Sequence, residues 1–242
     1  MSDYSVLIAA AGNGTRSGLS YPKTLYPVSG KPILIHLLTL FSSFSGSFSV
    51  VVSPKGKNQV NECLQKSNLH PHLITQSSPK GMGDAVLQFI HSPDFYNTKN
   101  LILVWGDIPF IQAETVSEMI RIHEIHNNDF TFPTRIVDSA YTYVLRDQQN
   151  RLVEVIETRE LGIEKPSFGE RDIGLFVFKK DLVINMLQKE LQSKYGQVSG
   201  EHGFLYIIKE LILHGAKVEA LPIATEKDLI SLNYIKDVKD YD

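Results

Sequence analysis

The sequence contains almost no cysteine. Among its 242 residues only Cys63 carries a thiol, which excludes an internal disulfide and a metal site built from several cysteines. Such cysteine usage is typical of a reducing compartment. The first residues also lack the basic start of a signal peptide and run directly into an apolar strand pattern, so we expect a cytoplasmic protein.

An excess of positive charge is missing as well. The chain has 24 Lys and Arg residues against 27 Asp and Glu residues, and its net charge is −3 at pH 7. Nucleic acid is therefore not an expected partner, and any basic site has to be local.

Long apolar runs are absent too. The most apolar helical stretch, ILIHLLTLF at 33–41, is too short to span a bilayer and contains His36. The sequence thus predicts no membrane partner. No heptad pattern or exposed apolar stripe indicates a subunit interface, which leaves a homo-oligomer open.

Strand-like and helix-like segments alternate along the first half. Short apolar runs of the kind found in buried parallel strands occupy 5–10, 48–53, 72–76 and 101–106. Apolar residues at helical spacing occupy 31–44, 83–91 and 113–127. This rhythm predicts an α/β fold whose mostly parallel sheet is covered by helices on both faces.

The second half has a different pattern. Strand patterns at 141–147 and 152–157 flank the short segment QQN and predict a β-hairpin. The other predicted elements are strands at 172–180 and 216–223, helices at 181–193, 203–214 and 231–240, and a loop at 164–171. Because the chain has no repeat, low-complexity tract or linker, we expect one domain over residues 1–242.

A glycine-containing loop follows the first predicted strand. The segment LIAAAGNGTRSGLSYPKTL at 7–25 contains Gly12 and Gly14, but a serine stands where a dinucleotide-binding fingerprint needs its third glycine. A Walker P-loop does not fit either, because proline rather than glycine precedes Lys23. Both familiar glycine-rich patterns are therefore excluded.

The loop nevertheless suits phosphate. Small residues allow the backbone to approach a ligand closely and to point successive N–H groups at it; they are Ala10, Ala11, Gly12 and Gly14. Arg16 and Lys23 add two cations close behind. A strand before the loop and two cations after it favour phosphate binding over a solvated surface turn.

These residues belong to a longer motif. The stretch LIAAAGNGTRSGLSYPKTLYPVSGKPILIHLL at 7–38 resembles the L-A-A-G-x-G-T-R…P-K-x-L-x-P-V-x-G-K-P-M-L-x-H signature of sugar-phosphate nucleotidyltransferases. The nearest form is the N-terminal uridylyltransferase domain of bifunctional N-acetylglucosamine-1-phosphate enzymes. From Gly12 through Arg16, Lys23 and Pro32 the spacing matches without a gap.

Further segments are similar to the same family along most of the chain. They are QSSPKGMGDAV (76–86), LVWGDIPFIQAETV (103–116), LVEVIETRE (152–160), ERDIGLFVF (170–178) and DLISLNYIKDV (228–238). The resemblance implies a Rossmann-like (GT-A-like) single-domain fold with a mixed, mostly parallel sheet. It also implies a nucleotide-binding half at about 1–130 and an acceptor-binding half at about 131–242, without the hexapeptide-repeat acetyltransferase domain.

The resemblance assigns roles to individual residues. The catalytic residues that it implies are Arg16, Lys23 and Asp107. The implied nucleotide-binding residues are Ala10, Ala11, Gly12, Asn13, Gly14, Gln76, Gly81 and Met82. The implied acceptor-binding residues are Gly106, Thr142, Glu157 and Asp172. The implied ligands of a Mg²⁺ cofactor are Asp107 and Asn233, and oxygen ligands in small number are what Mg²⁺ prefers.

The implied reaction joins an NTP, with UTP favoured, to a sugar 1-phosphate. A phosphate oxygen of the sugar attacks the α-phosphorus and pyrophosphate leaves. Since the attacking phosphate is already ionised, no protein nucleophile is needed, and catalysis consists mostly of alignment and charge neutralisation.

The sequence departs from the family pattern at three positions. Met82 replaces a threonine that reads the base, Thr142 replaces a sugar-contacting glycine, and Asp172 replaces a sugar-contacting asparagine. An ionised carboxylate only accepts hydrogen bonds, so it favours hydroxyl, amide or amino donors on the acceptor, or a nearby cation. The departures leave the acceptor open.

Two alternatives remain. One is a cytidylyltransferase that acts on an alcohol phosphate, although WGDIPF at 105–110 stands where isoprenoid-pathway members typically have H-D-A-A-R-P. A molybdopterin nucleotidyltransferase is disfavoured, because its usual opening is L-A-G-G-x-S-x-R-M-G. The other alternative is a catalytically silent protein that only binds nucleotide.

The histidine pairs are a weaker feature. His70 and His72 flank a proline, and His123 and His126 are three residues apart on a predicted helix. No third ligand stands at a familiar metal-site spacing, so we expect solvated histidines. Tyr141 and Tyr143 alternate on a strand and are expected to be half-buried in the sheet.

Overall fold

The computed structural model describes residues 3–12, 17–164 and 166–239. In chain order the strands are β1 (Tyr4–Ala10), β2 (Pro27–Val28), β3 (Lys31–Pro32), β4 (Phe48–Val52), β5 (His72–Thr75), β6 (Asn100–Trp105), β7 (Phe130–Asp138), β8 (Thr142–Arg146), β9 (Leu152–Glu157), β10 (Phe168–Asp172), β11 (Leu175–Lys179) and β12 (Val218–Leu221). The α-helices are α1 (Ile33–Phe41), α2 (Lys57–Lys66), α3 (Met82–Leu87), α4 (Ala113–Ile125), α5 (Thr158–Leu161), α6 (Lys180–Gln188), α7 (Tyr206–Leu213) and α8 (Lys236–Lys239).

These elements form two compact units. The first unit comprises Met1–Pro79, Gln88–Ala113 and Glu226–Asp242, and the second comprises Lys80–Leu87 and Glu114–Thr225. The predicted halves at about 1–130 and 131–242 concern ligands and stay predictions. The boundaries of the compact units differ from those of the predicted halves, because residues 80–87 belong to the second unit and the last segment of the chain belongs to the first.

The first unit contains four parallel strands in the order β6-β1-β4-β5. The central strand β1 is buried from Tyr4 to Ile8, and β4 is buried from Ser49 to Val52. Strands covered on both faces need apolar side chains at successive positions, which explains the continuous β-branched and aliphatic runs. The helix α1 contributes five buried residues, namely Ile33, Leu34, Leu37, Leu38 and Phe41.

The second unit is built around β7. This strand pairs antiparallel with β10 and β11 and parallel with β12. The strands β8 and β9 form a separate antiparallel hairpin. Pro133, which has no N–H to donate, lies between the β7 residues paired with β11 and those paired with β10. The core is aromatic, and its phenylalanines are at most 2% exposed: Phe130, Phe132, Phe176, Phe178 and Phe204.

The structure corrects several boundaries. The helix predicted from residue 31 begins at Ile33, because Lys31 and Pro32 pair with β2. The loop predicted at 164–171 is wrong in its last part, where β10 begins at Phe168. The strand predicted at 172–180 begins only at Leu175.

Several described elements have no counterpart in the sequence prediction, and α2, β7 and β10 are the longest of them. The helix α2 buries only Val60 and Leu64, so its helical periodicity is faint. The strand β7 contains a proline, and β10 is mostly polar with a glycine, so neither resembles a buried strand in sequence. Among the described residues, no helix is both long and apolar enough to cross a membrane.

Candidate active site

The strands of the first unit end together along one edge. Ala10 of β1 pairs with Val52 of β4, Val52 pairs with Thr75 of β5, and Ala9 pairs with Trp105 of β6. In open parallel α/β sheets, ligands bind outside the carboxyl ends of the strands. The residues that follow these four strands are therefore the candidates for a ligand site.

The loop after β1 begins at this edge. Ala10 ends the strand, Ala11 is buried, and Gly12 follows. A Cβ atom at Gly12 would have no described atom within 4 Å, so the backbone there is open to a ligand. Asn13, Gly14 and Arg16 lie outside the described residues.

The predicted base-reading residue Gln76 follows β5 directly. Its backbone N–H donates to the Val52 carbonyl at 2.9 Å, and the residue is only 5% exposed. Polar side chains are rarely this buried without a defined partner. The backbone contact holds Gln76 at the carboxyl end of β4.

Gly106 and Asp107 follow β6. The Gly106 N–H donates to the Ala9 carbonyl at 2.9 Å, and a Cβ atom at Gly106 would lie 3.0 Å from the Ala10 Cβ. A Cβ atom would be crowded at this distance, so glycine suits the close approach between the two strand ends. This approach brings Asp107 to the edge at which the β1 loop starts.

Lys23 and Asp107 form an ion pair. The Lys23 Nζ lies 3.4 Å from the Asp107 Oδ2, and the two side chains are 13% and 27% exposed. Lys23 begins a 3₁₀ turn that ends at Leu25. Two residues predicted to be catalytic, 84 positions apart in sequence, are thus in contact.

The last segment of the chain closes on the same loop. The Leu232 N–H donates to the Asp107 carbonyl at 2.8 Å. The Asp228 carboxylate, which is fully buried, accepts the Gln112 N–H at 2.7 Å. These contacts place Asn233 one residue from a hydrogen bond to Asp107.

The oxygen atoms of Asp107 and Asn233 are suitable ligands for Mg²⁺. Asp107 offers a carboxylate, and the Asn233 Nδ2 donates to the Ser231 Oγ at 2.9 Å, so that Oδ1 is the acceptor atom of the amide. Mg²⁺ normally takes one or two protein oxygens together with phosphates and water. The described residues contain no group of three or more His, Cys, Asp or Glu side chains that could hold a metal by themselves.

In the second unit, the predicted nucleotide-binding Gly81 packs against His202. The His202 N–H donates to the Lys80 carbonyl at 2.7 Å, and the Gly83 N–H donates to the His202 carbonyl at 3.0 Å. Gly81 has a φ of +99°, and a Cβ atom there would collide with the His202 carbonyl. Met82 begins α3 directly after it.

Three predicted acceptor-binding residues come together in the second unit. The Thr142 Oγ1 donates to the Asp172 Oδ1 at 2.6 Å, and the Gly174 N–H donates to the Asp172 Oδ2 at 2.9 Å. Thr142 also lies opposite Glu157 in the β8–β9 hairpin. Thr142 and Asp172 are 3% and 2% exposed, so this is a buried polar cluster.

The pKa of the Glu157 carboxyl is shifted by its surroundings. Burial, together with the neighbouring charges of Asp172 and Glu160 and against the lowering effect of Arg159, raises the pKa of Glu157 to about 7. At neutral pH the Glu157 carboxyl is therefore present both as acid and as carboxylate. It can donate or accept a hydrogen bond near pH 7.

The sequence analysis missed the segment that borders Glu157. A Cβ atom at Gly203 would lie 4.0 Å from the Glu157 Oε1 and 3.6 Å from the Tyr206 Cδ1. The Glu160 carboxylate accepts the Ser199 N–H at 3.1 Å and the Ser199 Oγ at 2.8 Å. The clustered glycines of GQVSGEHG at 196–203 were the available signal for close backbone packing.

One prediction about histidine is wrong. His123 is not solvated but 3% exposed, and its Nδ1 lies 2.9 Å from the Thr131 Oγ1. Burial, assisted by the charge of Lys179, lowers the pKa of His123 to about 4. It is a structural core residue on α4. Tyr141 and Tyr143 are half-buried, as predicted.

Comparison with protein families identifies the family of this chain. A model described as a MobA-like NTP transferase domain matches residues 6–162. The chain belongs to this nucleotidyltransferase family. The matched region includes most of β1, its loop and Asp107. The resemblance inferred from the sequence is confirmed at the level of the family, and the family description leaves the acceptor open.

Individual relatives agree with this membership. The chain is 28% identical over 232 residues to the Bifunctional protein GlmU of Thermodesulfovibrio yellowstonii, covering 94% of the chain and 49% of the relative. It is 26% identical over 239 residues to the Bifunctional protein GlmU of Prochlorococcus marinus, covering 98% and 49%. The chain thus spans about half the length of these relatives.

A solved structure supports the fold. UDP-glucose pyrophosphorylase in complex with UDP-glucose superposes with a TM-score of 0.74 over 98% of both chains, at 14% sequence identity. At this identity the likeness concerns the fold alone. The predicted α/β class, with a mixed and mostly parallel sheet flanked by helices, is confirmed.

Proposed function

We propose that the protein is a Mg²⁺-dependent nucleotidyltransferase that makes an NDP-sugar from an NTP, with UTP favoured, and a sugar 1-phosphate. The observation that carries this proposal is the ion pair between Lys23 and Asp107 at the carboxyl edge of the parallel sheet. It combines a cation for phosphates with a carboxylate for a metal at the edge where such folds bind ligands.

The reaction requires little covalent chemistry from the protein. An oxygen of the sugar 1-phosphate forms a bond to the α-phosphorus, and the bond from that phosphorus to the pyrophosphate oxygen breaks. Lys23, together with Arg16, would stabilise the charge on the departing pyrophosphate. Asp107 and Asn233 would hold the metal, whose charge neutralises the phosphates when it is bound.

The nucleotide would lie along the strand ends of the first unit. The open backbone at Gly12 supports close contact with phosphates or ribose, in the segment formed by Ala10, Ala11, Gly12, Asn13 and Gly14. Gln76 would hydrogen-bond to the base edge, and Gly81 and Met82 would contact the base. The resemblance of residues 7–38 to uridylyltransferase domains makes UTP the first nucleotide to test.

The acceptor would meet Thr142, Glu157 and Asp172, and Gly106 through its backbone. Asp172 already accepts hydrogen bonds from Thr142 and Gly174. The Asp172 carboxylate favours an acceptor that presents hydroxyl, amide or amino hydrogens, because a carboxylate can only accept, whereas Glu157 can donate or accept near pH 7. Amino sugars and amino alcohols therefore belong in the acceptor panel beside N-acetylated and neutral sugars.

Pyrophosphate release is the decisive measurement. The purified protein is incubated with Mg²⁺ and each of four NTPs against a panel of sugar 1-phosphates and alcohol phosphates. Release that needs both substrates and gives an NDP-sugar supports the proposal. Release only with CTP and an alcohol phosphate would favour the cytidylyltransferase alternative, and no release with any pair would favour a silent nucleotide-binding protein.

The Asp107→Ala variant tests the metal assignment. We expect turnover to fall by at least about 10³-fold, because a group that holds the catalytic metal contributes several kcal/mol to the transition state. Circular dichroism and thermal unfolding check that the variant is folded. Asp138→Ala, which removes a carboxylate at an exposed position at the end of β7, is the matched control. Retained activity in Asp107→Ala would contradict the assignment.

A further inference from the structure

The position of Lys23 is set by its backbone. The Tyr26 N–H donates to the Lys23 carbonyl at 2.9 Å, and the Leu25 N–H donates to the Pro22 carbonyl at 2.9 Å. Pro22 itself is packed against Gly56, since a Cβ atom at Gly56 would lie 2.6 Å from the Pro22 Cγ. The backbone of Lys23 is therefore held in place, and its flexible side chain is the part that can move.

The Lys23 ammonium lies close enough to Asp107 to repel a metal ion that binds this carboxylate. It is 3.4 Å from the Asp107 Oδ2, and only 13% of the Lys23 side chain is exposed. Two positive ions that share one partly buried carboxylate repel each other, and the repulsion is stronger than in bulk water because solvent screening is reduced. Asn233 is neutral and does not compensate for the added charge.

Nucleotide phosphates change this balance. A triphosphate brings several negative charges, and an ammonium on a four-carbon stem can turn from a carboxylate to a phosphate without moving the backbone. Once the ammonium has turned, its positive charge no longer opposes the binding of a metal ion at the Asp107 carboxylate. The same step places the Lys23 charge on the phosphates.

We propose that Lys23 competes with the divalent cation for Asp107, so that the cation binds tightly only after nucleotide phosphates have drawn the ammonium away. This inference rests on the proposed function, because it takes Asp107 as the metal ligand. It adds a role for Lys23 before the chemical step. Lys23 keeps the metal from binding firmly in the absence of the nucleotide.

Metal binding without turnover provides the test. Mn²⁺ serves as the probe, because it takes the same oxygen ligands as Mg²⁺ and its unbound fraction is measured by electron paramagnetic resonance. In the absence of nucleotide, we expect Lys23→Met to bind Mn²⁺ about tenfold more tightly than the wild type, since it removes one nearby positive charge. With α,β-methylene UTP bound, we expect that advantage to disappear.

Two variants separate charge from other effects. Lys23→Arg keeps the positive charge and should leave the Mn²⁺ affinity close to that of the wild type. Lys55→Met removes one positive charge from an exposed residue after β4 and should give no gain. Methionine keeps most of the apolar stem of lysine, and thermal unfolding verifies that each variant is folded.

Several outcomes would overturn the inference. They are a Lys23→Met protein that binds Mn²⁺ no more tightly than the wild type, an equal gain in Lys55→Met, and a gain that persists unchanged with the nucleotide analogue. The measurement without nucleotide requires no acceptor and no turnover. A protein that releases pyrophosphate can therefore fail this test, and a protein that releases none can pass it.

Discussion

At the scale of single residues, the structure separates glycines and carboxyls that look alike in sequence. A Cβ atom at Gly12 would have no described atom within 4 Å, whereas Gly106 stands at a close approach between two strand ends. Asp107 is paired with a cation, whereas Asp172 accepts hydrogen bonds from neutral donors. A residue type by itself predicts none of these differences, because each depends on neighbours that are distant in sequence.

Gly12→Ala is expected to affect binding but not folding. A methyl group at Gly12 meets no described atom within 4 Å, so the free energy of unfolding should change by less than about 0.5 kcal/mol. If the backbone there contacts the nucleotide, the methyl group should weaken binding of α,β-methylene UTP about tenfold. Calorimetry and urea unfolding measure the two effects. Unchanged nucleotide affinity would contradict contact at Gly12.

Glu157→Gln is expected to stabilise the protein at pH 8 and not at pH 4. The folded-state pKa of Glu157, about 7, lies above its ordinary value of 4.5. The stability linked to this raised pKa is therefore complete below pH 4.5 and is lost as the pH rises through 7. We expect the variant to gain about 1–2 kcal/mol at pH 8, after allowance for partial solvent screening.

Urea unfolding at pH 4, 6 and 8 measures this gain. Glu62→Gln, at an exposed position of α2, controls for the loss of one carboxylate. A Glu157→Gln protein whose gain is the same at all three pH values would contradict a raised pKa for Glu157.

At the scale of elements, the carboxyl ends of β1, β4, β5 and β6 form the edge at which we propose nucleotide binding, and the segment at 194–203 lies beside Glu157 at the end of β9. The Gly203 N–H donates to the Lys194 carbonyl at 2.9 Å, and the Gly196 N–H donates to the Glu201 carbonyl at 2.9 Å. The segment is thus held by its own backbone and by Glu160 of α5. It determines how much room remains near Glu157.

Gly83→Ala is expected to destabilise the protein more than Gly196→Ala. A Cβ atom at Gly83 would collide with the Gly203 carbonyl, which is backbone and cannot turn aside, whereas one at Gly196 would collide with the side-chain carboxylate of Glu160. We expect losses of about 3 kcal/mol at Gly83 and about 1 kcal/mol at Gly196. Thermal unfolding compares the two variants, and a larger loss at Gly196 would contradict this packing.

At the scale of the whole molecule, each compact unit is formed by segments that are not consecutive in the chain. The first unit includes the last segment, from Glu226 onwards, which returns to the loop after β6. Asp228 and Leu232 make the hydrogen bonds of this return, and Asn233 follows them. The proposed metal site thus consists of two segments more than 100 residues apart in sequence. The position of Asn233 in it depends on the packing of the last segment against the loop after β6.

Asp228→Ala is expected to weaken both stability and metal binding. The fully buried Asp228 carboxylate accepts the Gln112 N–H, so its loss leaves a partly buried donor unpaired and should cost about 1–2 kcal/mol. We also expect weaker Mn²⁺ binding, because the segment that carries Asn233 is less firmly held. Asp228→Asn keeps an acceptor oxygen and should lose less. Equal metal affinity in a folded Asp228→Ala protein would contradict the coupling.

Much of the first unit could be predicted from the sequence. The strands β1, β4 and β6 are buried on both faces, so their continuous apolar runs mark them within one or two residues, and the shorter run of β5, in which only Ile74 is buried, marks it as well. The strands β7 and β10 carry a proline or several polar residues, and tertiary pairing rather than local preference makes them strands. The buried state of His123 escaped prediction for a similar reason, since burial depends on the residues packed around it.

The sequence by itself determined the family, the α/β class and the candidates for phosphate, metal and acceptor contact, because these depend on residue types at fixed local spacing. Only the tertiary structure decided that Lys23 contacts Asp107, that Thr142 donates to Asp172 and that the pKa of Glu157 lies near 7. Distances between residues far apart in sequence, and the loss of water around them, arise only when the chain is folded.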